Sequence, residues 1–325
     1  MMRRNFWVVL AALLLFAPSL GSANPSGVGE GAFDAQCGGA CHGDADMNRS
    51  SSSIVTVHSE AVAYEGLLTS VTVSIDNIET TQQGLLGVFL LSSLSGAGDL
   101  PSDDGWTIIS NSEGGTENYV EITVLPSQQQ RNVTWTLRAP TIGQYELHGA
   151  VHHGTEDGSE APFFGQSNTP VVVDVVVVPE DLPRLASDYA PTTQRLLGES
   201  TTMELKTASV ESVVVEWRVT GGEVQTAEVV ALNDGAWSFD LPASLQPTVV
   251  EWRALLEGEG PSQTTPWFQL RSDEAPWTVD ETAAYVQSLA LIIVSMAGFM
   301  ALQKRRTSDM QKTELTDEEF DGGDL

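Results

Sequence analysis

Residues 133–153 read VTWTLRAPTIGQYELHGAVHH. Two short runs, 133–138 and 144–152, flank the break Pro140-Thr141-Ile142-Gly143, and both have the length of strands rather than helices. Moving outward in both directions, similar runs recur at 54–58, 70–75, 85–91, 107–110, 119–125 and 171–178, separated by Gly, Ser, Asn and Pro. Eight short strands at this spacing, with no ten-residue helical pattern among them, predict an antiparallel β-sandwich over 53–178. The last run is nearly all Val, which suits a strand buried on both faces or paired centrally.

Pro179-Glu180-Asp181-Leu182-Pro183 then reads as a hinge, within a linker assigned to 179–184. A second series follows at 200–206, 212–220, 225–231, 236–241, 248–256 and 266–270, and predicts an Ig- or fibronectin-like sandwich over 185–272. Trp217, Trp237, Trp252 and Trp267 fall on its strands. A Trp row can line a sugar-binding face, but core packing is the commoner fate of the ring. Nothing in this module offers a catalytic constellation, so it reads as a spacer.

The ends of the chain set its compartment. Residues 1–23 carry Arg3 and Arg4, an apolar stretch over 7–17 and the small residues Gly21-Ser22-Ala23, the pattern of an export signal. Near the other end, 283–302 is twenty residues without a charge, followed by Lys304-Arg305-Arg306. At 1.5 Å per residue this stretch crosses a hydrocarbon core of about 30 Å. The positive-inside rule then places the acidic tail, 303–325, in the cytoplasm and everything before the span outside. The tail ends in TDEEFDGGDL, a composition that predicts disorder. The expected class is therefore all-β, two tandem antiparallel sandwiches and one C-terminal transmembrane helix, in a single-pass cell-membrane protein.

Charge agrees with that placement. The chain has 15 Lys and Arg against 44 Asp and Glu, a formal −29. Only Lys206, Lys304 and Lys312 are lysines. Such a surface stays hydrated in salt and suits a marine or halophilic source. It lacks the basic face that phosphate neutralisation requires, which excludes nucleic acid as a partner.

The chemistry sits between the leader and the first sandwich, in a Gly-rich segment over 24–52. Cys37-Gly38-Gly39-Ala40-Cys41-His42 holds both cysteines of the chain and one of its five histidines. Two thiols followed at once by an imidazole is how c-type haem is attached: each thiol adds to a vinyl group and the His becomes the proximal iron ligand. The usual spacing is C-x-x-C-H, and this segment has one residue more, in a Gly-Gly-Ala loop where a bulge costs little. Cys37, Cys41 and His42 are thus the candidate haem-binding residues. Met47, His152 and His153 are the candidate distal ligands.

The same residues admit other readings. A Cys37–Cys41 disulfide accounts for two thiols in an exported protein, and leaves a non-catalytic structural or adhesive surface protein. A copper or zinc site would recruit a distant His. The dicopper arrangement fails, because its His and Met positions are Ala45 and Asn48 here. A reactive thiol pair would want a thioredoxin-like βαβ setting, which is absent. His148 and His152 share one strand face about 13 Å apart, too far to share one iron. For these two, as for His58, a solvent-facing edge is the plainer expectation. Asn48 and Asn132 begin glycosylation sequons. Asp44, Asp46, Asp103, Asp104 and Glu156-Asp157-Gly158 lack the spacing of a Ca²⁺ loop. No G-x-S-x-G, HExxH, P-loop or dinucleotide fingerprint occurs, so an enzyme is not expected beyond a redox carrier.

The Cys-Cys-His segment followed by a sandwich with Trp135 and Pro140-Thr141-Ile142-Gly143 resembles the choice-of-anchor V domain family, over about residues 30–178. That resemblance implies a Reelin-like sandwich on a prokaryotic surface protein, a marine archaeon being one such source, with a variable C-terminal anchor and haem attachment. It implies no established reaction, and names neither an electron partner nor a surface ligand.

Overall fold

A polar residue in every second position of a short apolar run leaves one face to bury and one to wet, and the chain resolves this by pairing sheets. The computed structural model of the protein describes residues 31–35, 49–78, 84–125, 128–153, 163–233, 235–275 and 281–318. The N-terminal strands are β1 (Arg49–Ser50), β2 (Ile54–Ser59), β3 (Val62–Tyr64), β4 (Leu68–Asp76), β5 (Leu85–Leu91), β6 (Thr107–Asn111), β7 (Tyr119–Thr123), β8 (Gln130–Arg138), β9 (Gly143–His153), β10 (Phe163–Gln166) and β11 (Val171–Val176). Among the described residues, β2-β4-β8-β6 form a four-stranded sheet. The other seven form a second sheet centred on β9, which pairs β5 on one side and β10 and β11 on the other.

Alternate residues of the two sheets meet in one core: Val71, Val73, Val133, Trp135 and Leu137 from the smaller sheet, Leu86, Val88, Leu90, Leu147 and Val151 from the larger. Gly149 of β9 lies on this inner face. A Cβ there would meet Val73 Cγ1 at 2.8 Å, so the absence of a side chain lets the sheets close. The all-β expectation holds, with two corrections. The larger sheet is mixed, since β1 runs parallel to β10 and β3 parallel to β11, whereas the smaller one is antiparallel as expected. The valine run is paired centrally, between β9 and β3, but is not buried on both faces: Val172 and Val176 are 41% and 36% exposed.

The C-terminal strands are β12 (Arg184–Leu185), β13 (Gln194–Leu196), β14 (Thr201–Ala208), β15 (Ser212–Val219), β16 (Gln225–Ala227), β17 (Val229–Ala231), β18 (Ala236–Leu241), β19 (Thr248–Glu257), β20 (Gln263–Thr264) and β21 (Phe268–Asp273). They make a four-stranded sheet, β12-β14-β18-β17, and a six-stranded sheet in which β19 pairs β15, β20 and β21. Met203, Leu205, Val215, Phe239, Trp252 and Phe268 share the core between them. Residues 225–231, expected as one strand, divide at Glu228, because β16 completes one sheet and β17 the other. Trp252 is fully buried, and Trp217 and Trp237 pack against the same core. Trp267 carries the guanidinium groups of Arg218 and Arg253 at 4.3 and 4.5 Å from its ring centre, held in turn by Glu251 and Glu216.

The two sheet pairs belong to one compact unit. Thr136 and Ser110, on the outer face of the smaller N-terminal sheet, are fully buried. The Ser110 hydroxyl bonds to Gln269 Oε1, and that of Thr136 to the Trp267 carbonyl. Leu68 packs against the C-terminal core. Arg138 donates to the carbonyls of Gly66, Ser187 and Tyr189, and burial pulls its pKa down against the pull of Asp188. The segment expected as a hinge is held in place: Leu182 is 1% exposed, and Arg184 donates to the carbonyls of Pro179, Glu180 and Leu182.

The last described element is α1 (Glu281–Glu318). Thr282–Lys304 within it is long and apolar enough to cross a membrane, and its side chains are exposed rather than packed into a core. The helix continues beyond the basic cluster, which overturns the expectation of disorder from residue 303 onward as far as Glu318. Residues 1–23, expected to form an export signal, and residues 319–325 lie outside the described residues.

Candidate functional site

The larger N-terminal sheet has a second, outward face, and the site is built there. Alternation along β5, β7 and β9 sends Phe89, Leu91, Tyr119, Ala150, His148 and His152 to the face opposite the main core. Phe89, Leu91, Tyr119 and Ala150 are nonetheless at most 1% exposed, and form their own apolar cluster with Ala35. Ring contacts run across it: Phe33 to Tyr119 at 5.3 Å, Tyr119 to Phe89 at 4.5 Å and Phe89 to Phe164 at 6.4 Å. Tyr119 lies directly over Gly87, where a Cβ would collide with its ring, so that glycine makes the floor flat.

The chain that enters the Cys-Cys-His segment is tied to this face at residues 31–35. Gly31 and Tyr119 exchange backbone hydrogen bonds of 3.3 and 3.1 Å. The Asn118 amide then imitates a strand, accepting from the Phe33 N–H and donating to the Phe33 carbonyl, both at 2.9 Å. Next comes a reciprocal exchange: the Ala35 N–H donates to Asp99 Oδ2 at 3.3 Å, and the Asp99 N–H donates to Asp34 Oδ1 at 2.9 Å.

Asp99 is fully buried. Its carboxylate also accepts from Ser93 Oγ (2.8 Å), Ser95 N (3.0 Å), Ser95 Oγ (2.8 Å) and Gly96 N (2.7 Å). Burial raises its pKa, but these bonds to the ionised form outweigh burial and hold the group below the usual carboxylate range.

The chain leaving the segment is tied down as well. Arg49 and Ser50 pair with Phe163 and Phe164, and Ser51 N–H donates to the Phe164 carbonyl at 2.9 Å. The Arg49 guanidinium lies 3.9 Å over the Phe163 ring, and His153 stacks on the same ring at 5.0 Å. Ser51 Oγ and His153 Nε2 are 2.9 Å apart.

The histidines therefore separate. His152 is 2% exposed on the outward face beside Phe164, whereas His153 is 6% exposed on the opposite face with Ser51 and Phe163. The solvent-facing edge expected for His152 is overturned by that burial. His148 is mostly covered, with Glu146 at 3.9 Å from Nε2. Burial lowers its pKa more than Glu146 and Asp99 raise it. His58 is exposed, as expected. Asn132 is exposed on β8, and the sequon hydroxyl of Thr134 bonds to Thr72 at 2.8 Å. Among the described residues no group of three or more His, Cys, Asp or Glu side chains could hold a metal ion. Cys37, Cys41, His42, Met47 and Asn48 lie outside the described residues, as do Asp44, Asp46 and the 156–158 turn.

Sequence reasoning missed Asp34 and Asp99. Asp99 stands in SLSGAGDLPSDDG, where Ser, Gly and Asp read only as a turn, and nothing local marks one carboxylate as buried. No protein-family description matches the chain, and no curated protein emerges as a relative.

Proposed function

We propose that the protein is a single-pass, surface-anchored carrier of one covalently attached c-type haem, built as a Reelin-like sandwich on an Ig-like spacer. In this reading α1 is the anchor, both sheet pairs stand outside the cell and Lys304-Arg305-Arg306 marks the cytoplasmic side. The resemblance to the choice-of-anchor V family belongs to the same proposal. The observation that carries it is that the chain is tied down on both sides of the Cys-Cys-His segment, at Ala35 and at Arg49, against a face that bears His152.

The surroundings suit a porphyrin in their chemistry. Phe89, Leu91, Tyr119 and Phe164 offer an apolar aromatic floor, and His152 supplies an imidazole on the same face. Cys37 and Cys41 would hold the macrocycle and His42 the iron, with Met47, His152 or His153 as the second axial donor. Of the last two, His152 is favoured, because His153 is stacked on Phe163 and bonded to Ser51 on the other face. Bound haem supplies reversible one-electron exchange outside the membrane.

The second reading is a structural surface protein with a Cys37–Cys41 disulfide. It is favoured by Phe89, Leu91 and Tyr119 of the floor being already sealed, at most 1% exposed. The protein purified from its native host decides between them. A Soret band and a haem-stained gel band support the carrier, with His42→Ala removing the low-spin signature while the sheet pairs stay folded. Colourless protein whose thiols react only after reduction establishes the disulfide and ends the haem reading.

A further inference from the structure

The sequon Asn132-Val133-Thr134 lies within β8, where Val133 enters the core and Asn132 and Thr134 face outward from the smaller N-terminal sheet. Asn132 is exposed, and among the described residues its carboxamide has no hydrogen-bond partner. We propose that Asn132 carries an N-linked oligosaccharide, which lies over the carboxylate-free part of this sheet face. The proposal rests on both sheet pairs standing outside the cell, and is independent of haem and of the disulfide.

Three observations carry the assignment. First, the fold makes no use of the Asn132 side chain. Asn is a poor strand former. Asn111 and Asn118, by contrast, are buried and bonded to backbone, the first to Glu113, Gly115 and Glu117 and the second to Phe33 and Leu90. Second, the surroundings suit sugar. Strand register sets Thr56, Ser74 and Asn132 in one row and His58, Thr72 and Thr134 in the next. Neither row holds a carboxylate, in a chain with 44 Asp and Glu. Ser74, directly opposite Asn132, is small, and the hydroxyl groups around it can bond to those of a glycan. Third, the flank is open. The same face is sealed by the C-terminal sheet pair at Ser110 and Thr136, but the ladder between β6 and β8 ends at Asn111 and Trp135, short of Asn132.

The Thr134 hydroxyl, which a transferase must reach, bonds to Thr72 at 2.8 Å in the fold, so transfer belongs to the exported chain before β8 pairs with β4. The donor class is a lipid-phosphate-linked oligosaccharide. A bond forms from the sugar C1 to Asn132 Nδ2 and the bond from C1 to the phosphate oxygen breaks. The lipid phosphate leaves, and one amide proton passes to a base of the transferase.

Trypsin applied to intact cells of the native host, followed by mass spectrometry of the released peptides, tests the site. Cleavage after Arg131 and Arg138 yields residues 132–138, a peptide that excludes the other sequon, at Asn48. The expected result is a peptide heavier than its bare mass that releases sugar fragment ions. Asn132→Gln should abolish the added mass, and Thr134→Ser, which keeps a sequon hydroxyl, should retain it. A released peptide found only at its bare mass overturns the glycan and leaves the surface placement standing. Release only after the cells are lysed ends both. Added mass that survives Asn132→Gln places the modification on another residue and overturns the assignment.

Discussion

Ser110 of β6 and Gln269 of β21 are 159 residues apart, yet their side chains bond at 2.7 Å with both residues sealed from solvent. This bond crosses between the two sheet pairs, and Gln269 is held on its other side by donation to the Trp267 carbonyl. Ser110→Ala leaves the Gln269 oxygen buried without its donor. A loss of about 1–3 kcal/mol is expected from either Ser110→Ala or Gln269→Ala, with a smaller sum for the double variant. Urea unfolding followed by near-UV dichroism should show one transition for both sheet pairs. Two resolved transitions in the wild type would refute the coupling.

Gly149 sets the spacing of the N-terminal sheets. Gly149→Ala places a methyl against Val73, Val55 and Val57, at 2.8 to 3.1 Å, and is expected to cost about 1–3 kcal/mol. Val73→Ala should restore part of that loss in the double variant, even though it is destabilising alone. Independent, additive losses would place the strain elsewhere.

The strands that could be read from the chain are those long enough to show a period. Leu85–Leu91 and Ala236–Leu241 coincide with the expected limits, because seven and six residues bounded by turn formers leave little choice of register. Arg49–Ser50 and Phe163–Gln166 escaped, since two- and four-residue strands carry no alternation and are specified by what they pair with. The same holds at the site. The thiols and imidazole of the Gly-rich segment are legible as chemistry, whereas the facing of His152 and His153 depends on pairing with β10. Asp99 is legible only in three dimensions, because its burial and the five hydrogen bonds to its carboxylate depend on Ser93, Ser95 and Gly96, which precede it, and on Ala35.

Acid should loosen the N-terminal sheet pair in two stages. The folded pKa of His148 lies below 6.5, so under that pH the unfolded chain binds more protons and stability falls. The folded pKa of Asp99 lies below 3.8, so its contribution is complete above that value and disappears as pH drops through the folded one. Urea midpoints between pH 7.5 and 3 should therefore decline from just under 6.5. His148→Gln should flatten the upper part of the decline and Asp99→Asn the lower. A profile unchanged by both substitutions would contradict the assignment.

Removal of residues 281–325 should convert the chain from a membrane-bound to a freely released protein, because Thr282–Lys304 is the stretch of α1 apolar enough to span. Carbonate extraction of the full chain and of the shortened one provides the comparison. Retention of the shortened chain in the membrane fraction would transfer anchoring to the apolar stretch within residues 1–23.

The unbroken backbone of α1 has a mechanical consequence. Its 38 residues make a rod of about 57 Å, against a hydrocarbon core of about 30 Å. The part after Lys304 adds about 20 Å of helix, joined to the apolar stretch by the same hydrogen-bond ladder. A quarter turn of the span is therefore delivered to Glu318 as a quarter turn, with no slack joint to absorb it.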